Sequence, residues 1–154
     1  ICVAQGVYTV VAIAAVGICV PPLGLGLATL IGRKNFSSEE REAGKAALVM
    51  GCVGVTEGAI PFAAADPLRV IPSIMVGSAC GTVTAALFGA QCYAGWGGLI
   101  VLPVVEGKLG YIAAVAVGAV VTAVCVNVLK SLARKKVSQV DPKEDDLDLD
   151  FEMN

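Results

Sequence analysis

The chain contains no histidine, and its six cysteines include no CxxC pair. Zinc and haem sites draw on those residues at close spacing, so no metal or cofactor is expected. Cys2, Cys19, Cys52, Cys80, Cys92 and Cys125 are scattered through apolar segments and read as small packing residues. Aromatic residues make up only 5% of the chain. A membrane β-barrel carries aromatic girdles and ten-residue alternating strands, and this chain has neither. There is also no initiator Met and no charged leader before the apolar run that opens at Ile1. The sequence is therefore read as the C-terminal portion of a longer polypeptide, and a missing N-terminal half is expected to complete any binding site.

What is present is apolar. The 154 residues are 56% hydrophobic, with a mean hydropathy of +0.80. That exceeds what a soluble domain of this size carries, so the class is helical integral membrane protein. Alanine, valine and glycine dominate, which lets membrane helices pack backbone to backbone. The net charge of −2 hides an asymmetry. Seven of the thirteen acids lie in 141–152, whereas residues 1–140 carry ten Lys/Arg against six Asp/Glu. No nucleic-acid partner is expected.

A first span is expected from about Val3 to Ile31. Pro21-Pro22, followed by Gly24 and Gly26, bars a straight helix there, as a kink or as a break lining a cavity. Ser37 and Glu40 have capping-box spacing, so a helix should begin near Ser38 and run into the apolar segment. Asp66-Pro67 reads as an N-cap followed by proline at the first helical position. The next span covers about Leu68–Ala90 and contains Gly77-x-x-x-Gly81, a close-packing face. Gln91–Lys108 is glycine-rich. The last span runs about Leu109–Leu129, with Asn127 near its end and Lys130, Arg134, Lys135 and Lys136 following at once.

Glu57 is the only charge in 46–65. A carboxylate at membrane depth costs about 2.5–3.5 kcal/mol on insertion scales and marks a substrate or ion pathway by default. Gly54, Gly58 and Pro61 surround it, so its backbone should not be a plain helix. The Lys130–Lys136 cluster places the C-terminus in the cytoplasm. Walking back, the loop bearing Arg33, Lys34, Arg41 and Lys45 stays on that side only if Ala46–Ala65 enters and returns. The expected fold is therefore all-α integral membrane, with about three transmembrane helices plus a re-entrant helical hairpin whose tip lies near Glu57. Residues 1–136 form the membrane part. Residues 137–154 form a cytoplasmic, disordered acidic tail.

Residues 55–79 read VTEGAIPFAAADPLRVIPSIMVGSA, and 21–54 read PPLGLGLATLIGRKNFSSEEREAGKAALVMGCVG. Over most of 1–130 the chain resembles the C-terminal half of the fructose-family membrane component, enzyme IIC, of the bacterial phosphoenolpyruvate-dependent sugar phosphotransferase system. The resemblance implies that Glu57, within a Val-Thr-Glu-Gly motif, meets the sugar, with Thr56, Gly58 and Pro61 beside it. It also implies a phosphocysteine-bearing IIB domain as phosphoryl donor, a homodimer, and a multi-pass location in the bacterial cytoplasmic membrane. None of the six cysteines here suits the phosphocysteine role. Many relatives carry a Pro-His-Gly-Gly-like sequence where this chain has Gly95-Trp96-Gly97-Gly98, so that histidine's role does not transfer. Trp96 could stack on a sugar or sit at the membrane interface.

Three functions compete. A sugar permease subunit uses Glu57 to orient hydroxyls. An ion- or proton-coupled secondary transporter would use Glu57 as its coupling site. A non-transporting structural subunit has little reason to keep a carboxylate among broken helices. Asp66 and Arg69, one turn apart, are either a cap plus a membrane-face charge or part of an exit path toward the phosphoryl donor.

Overall fold

The computed structural model describes residues 6–94 and 98–140, with side chains through Arg134. Its long helices are α1 (Tyr8–Ile31), α2 (Ser38–Val53), α4 (Pro67–Leu87) and α5 (Lys108–Val140), with a short α3 (Ile60–Ala65) between α2 and α4. Three helical stretches are long and apolar enough to span a membrane: Tyr8–Ile31, Pro67–Leu87 and Lys108–Arg134. A two-stranded antiparallel ribbon, β1 (Gln91–Cys92) and β2 (Val105–Glu106), pairs Gln91 with Glu106 and Cys92 with Val105.

α1, α4 and α5 meet around Thr122. Its buried side chain occupies the space that a Cβ at Gly24 or at Gly77 would need. A Cβ at Gly81 would lie 3.2 Å from the Ala114 carbonyl, so the Gly77/Gly81 face does bring α4 against α5. The Thr122 hydroxyl donates to the Gly118 carbonyl at 2.9 Å, so no buried donor is left over. α1 packs on α2 by the same device. Cβ atoms at Gly26, Gly44 and Gly51 would overlap Leu48, Thr29 and Leu23 respectively.

α2 starts as its sequence dictates. Ser37 Oγ accepts from the Glu40 amide at 3.1 Å, and Glu40 Oε2 accepts from the Ser37 amide at 2.9 Å. It stops at Gly54, whose φ of 91° is left-handed. The Gly54 amide donates to Gly51 and Met50, and the Val55 amide to Met50, which is a Schellman ending. The chain then reverses. Residues Thr56–Ala59 form a 3₁₀ turn and α3 completes the return arm. A Cβ at Gly58 would lie 3.0 Å from Ala47 Cα, and the Phe62 ring meets Phe36 edge-on at 6.3 Å. The arm therefore runs back to the level at which α2 began. This is the expected re-entrant hairpin, with Glu57 just past its tip.

The two ends of the bundle differ. At one end the Tyr8 and Tyr93 rings lie 4.4 Å apart and the ribbon closes the α4–α5 connection. There the Tyr93 hydroxyl donates to Glu106 at 2.8 Å, and that bond pushes the phenol's pKa up. At the other end Asn127 Nδ2 donates to the Ala28 carbonyl at 3.1 Å, and Arg134 donates to the Lys34 carbonyl at 2.9 Å. Arg33, Lys34, Arg69, Lys130 and Arg134 gather at this second end, with Arg41 and Lys45 in the first turns of α2.

Two details depart from the sequence reading, and one alternative it left open is decided. α1 is unbroken through Pro21 and Pro22, which are both buried. Two missing amide donors are tolerated because proline's φ already suits a helix and the flanking turns stay packed. Gly24 and Gly26 serve close approach there, not a break. Asp66 occupies the N-cap position of α4, but its side chain makes no capping bond. The Arg69 guanidinium, one turn on, takes the carboxylate at 2.7 Å instead. α5 also continues past Leu129 to Val140, so the basic cluster extends the last helix. Trp96 and the acidic segment 141–154 lie outside the described residues.

Candidate functional site

The hairpin places two polar features at different depths. The first is the tip. Gly58 and Ala59 are buried, whereas Thr56, Glu57 and Pro61 are exposed on this chain. The Schellman ending turns the backbone, and the 3₁₀ turn then points Thr56 and Glu57 away from α2. Among the described residues the Glu57 side chain has neither a hydrogen bond nor an ion pair, although its backbone carbonyl accepts from the Ile60 amide. Its oxygens are free to accept from hydroxyl donors. Gly98 backs this tip from behind. With φ of 118°, its backbone sits where a Cβ would collide with the Val53 carbonyl. The buried Tyr111 hydroxyl holds Gly98 in place by donating to its carbonyl at 3.2 Å.

The second feature is a cavity of about 550 Å³ at the base of the hairpin. Glu40, Pro61, Asp66, Arg69 and Lys130 line it. It reaches up the return arm as far as Pro61, one turn from Glu57, but Glu57 itself does not line it. The structure thus brings Pro61, Asp66 and Arg69 together and leaves Thr56, Glu57 and Gly58 at the tip.

Lys130 and Glu40 were not singled out as site residues in the sequence, where they read as a membrane-face charge and as half of a capping box. They form a salt bridge between α5 and α2, with side chains only 9% and 14% exposed. The ammonium also stands 4.1 Å from the centroid of the Phe36 ring, a cation–π contact. Glu40 is used twice, with Oε2 on the Ser37 amide and Oε1 on Lys130. No short-range pattern links positions ninety residues apart. The faint signal was Phe36, a lone aromatic among charges. Counting Glu39, the cavity holds three carboxylates against two cations.

The chain is 92% identical, over all 154 residues, to "Fructose-like permease IIC component 2" of Escherichia coli (strain K12). The chain belongs to the fructose-family IIC permease components. It is also 48% identical over 128 residues to the "PTS system fructose-specific EIIB'BC component" of Vibrio cholerae, which covers 81% of the chain. It is 44% identical over 117 residues, 76% of the chain, to the "Fructose permease IIC component" of Bacillus amyloliquefaciens. The chain spans 43% of the first relative's length, 22% of the second and 38% of the third. No family model matches, and no solved structure matches.

The buried pair at the IIC hairpin base is open to a direct test. Glu40→Gln strands the Lys130 ammonium and weakens a cap. It should destabilise the protein by about 2–3 kcal/mol, below the range for fully enclosed pairs because the cavity admits water. Lys130→Met leaves Glu40 bonded to Ser37 and should cost less, and the double variant less than the sum. Thermal unfolding in detergent reads the order. Equal, additive losses would show that the pair carries no coupling.

Proposed function

We propose that this chain supplies the sugar-contacting hairpin of a phosphotransferase-system permease. In this reading it helps carry fructose or a fructose-like sugar across the membrane, and a partner IIB domain phosphorylates the sugar on entry. The observation that carries the reading is Glu57. It is an exposed, unpaired carboxylate on broken backbone, in a segment otherwise without charge. Such a group is disfavoured against lipid and suited to hydroxyl recognition. Thr56 adds a hydroxyl beside it, Gly58 lets the turn press on Ala47, and Pro61 starts the path downward. The relatives named as EIIB'BC components support a IIB partner. Residues 1–136 act as one membrane unit, paired with a second copy in a homodimer. Phosphoryl chemistry belongs to the partner, and this chain positions the sugar.

Asp66 and Arg69 line the exit. Arg69 is already paired and the cavity carries an excess of carboxylate, so a phosphorylated product would pass through without being held. The basic end of the bundle faces the cytoplasm, in keeping with the distribution of Lys and Arg.

Glu57→Gln keeps the size of the side chain and removes its charge. Sugar binding should weaken by about 1.5–3 kcal/mol, with insertion unaffected. Unchanged affinity and uptake in a well-expressed variant would defeat the assignment. Uptake should follow the phosphoryl donor and yield phosphorylated sugar. Collapse of uptake with an ion gradient would support a coupled transporter instead.

Orientation is checked by labelling. A cysteine placed at Lys34 should react only from the cytoplasmic side, and one at Glu106 only from outside. The reverse pattern overturns the topology.

For the exit, Arg69→Lys and Asp66→Asn are conservative in charge or shape. Asp66→Asn should slow phosphorylation severalfold by freeing the guanidinium to retain the product, with sugar affinity unchanged. If both variants leave phosphorylation as it was, the exit role is wrong.

A further inference from the structure

A separate cavity of about 230 Å³ lies between the end of α1 and the first turns of α2. Arg33, Arg41 and Lys45 line it, with Glu42 as the one carboxylate and the Ser38 hydroxyl beside them. Lys45 is satisfied by Glu42 at 2.8 Å. Arg41 spends only its Nε, which donates to the Phe36 carbonyl at 3.2 Å. Its terminal nitrogens are left for another acceptor. Among the described residues Arg33 has no ion-pair partner. The pocket therefore presents a clear excess of positive charge. In this it is the opposite of the hairpin-base cavity, where carboxylates outnumber cations.

Its surroundings are apolar on the membrane side. Leu30, at the foot of the α1 span, forms part of the wall and is 45% exposed. From Lys45 an exposed stripe continues up α2 through Val49 and Val53, at four-residue intervals on one helix face. A charged pocket that opens onto the end of an apolar stripe sits where headgroups meet acyl chains. Guanidinium forks match phosphate oxygens. Basic pockets between membrane helices recognise anionic headgroups.

We propose that this pocket binds the phosphodiester headgroup of an anionic membrane lipid, held by Arg33 and Arg41, with an acyl chain lying along Val49 and Val53. A free phosphate would satisfy the guanidinium groups and leave the apolar stripe bare, which is why the lipid is the occupant. The site stands on the membrane location of the chain and not on the sugar reading. Lipid bound there would brace the outer face of α2, the fixed arm of the hairpin.

The test uses the protein as its gene encodes it, purified in non-ionic detergent and stripped of lipid. Fluorescent phosphatidylglycerol and phosphatidylcholine are titrated in parallel. Phosphatidylglycerol should bind at least about tenfold more tightly, and added salt should weaken that preference. Arg33→Gln with Arg41→Gln should abolish the preference, and Arg33→Lys with Arg41→Lys should keep most of it. If the glutamine pair lowers thermal stability, Arg33→Gln alone decides, because the Arg33 side chain has no partner among the described residues. It should cut the preference severalfold. Millimolar inorganic phosphate should leave lipid binding unchanged. Equal binding of the two lipids, or a preference that survives Arg33→Gln, overturns the proposal. Displacement of phosphatidylglycerol by phosphate overturns it in favour of a free-phosphate site.

Discussion

A helix that ends inside a bilayer leaves carbonyls with no water to receive them. The placement of Glu57 depends on how the end of α2 meets that constraint. Gly54 adopts a left-handed conformation, and its amide and that of Val55 turn back onto Gly51 and Met50. The backbone of Gly98 then closes over Val53 and Gly54. A side chain at Gly54 would be strained by its positive φ, and a Cβ at Gly98 would lie 2.5 Å from the Val53 carbonyl oxygen. Gly98 is held in turn by Tyr111, whose hydroxyl lies 3.8 Å from Cys19 Sγ in the α1 core. The hairpin tip is thus set by the three-helix bundle behind it, and a shift of α5 against α1 would be felt at Glu57.

At the other end one carboxylate does comparable work. Glu40 closes the cap that starts α2 and also grips Lys130 on α5. Phe36 lies under the ammonium and against Phe62 of the return arm. Both arms of the hairpin and the end of α5 therefore share a single polar and aromatic cluster. A buried ion pair contributes little to stability by itself because desolvation offsets the attraction. Here it ties the end of α5 to the first turn of α2.

Local signals carried much of this architecture in the sequence. The capping box, the proline opening α4 and the Gly77/Gly81 face all appear where spacing places them, because each depends on neighbours within one or two turns. The hairpin was legible from charge: the basic loop before Ala46 could not lie opposite Lys130–Lys136. What spacing could not convey was competition between partners. Asp66 looked like a cap, but Arg69 offers the carboxylate a full charge where a cap offers an amide. Pro21-Pro22 read as a kink or a break, and there is no break: α1 runs on through both prolines, packed against three other helices. The Glu40–Lys130 pair and the Gly98–Tyr111 bond join distant positions, and no periodicity reports on those.

The return arm has two faces with different requirements. Gly58 and Ala59 press on α2, so that side is sealed. Thr56 and Glu57 look the other way. If that outward face met lipid, the carboxylate would stand desolvated with no partner, which is unfavourable. The faces that α4 and α5 expose on this chain are different in character. Met75, Val83, Val120 and Val124 are exposed and apolar. That contrast supports the proposal that Glu57 faces a polar space. Gly98 at the tip and Lys130 at the base hold the hairpin against the bundle, and with it the position of that carboxylate.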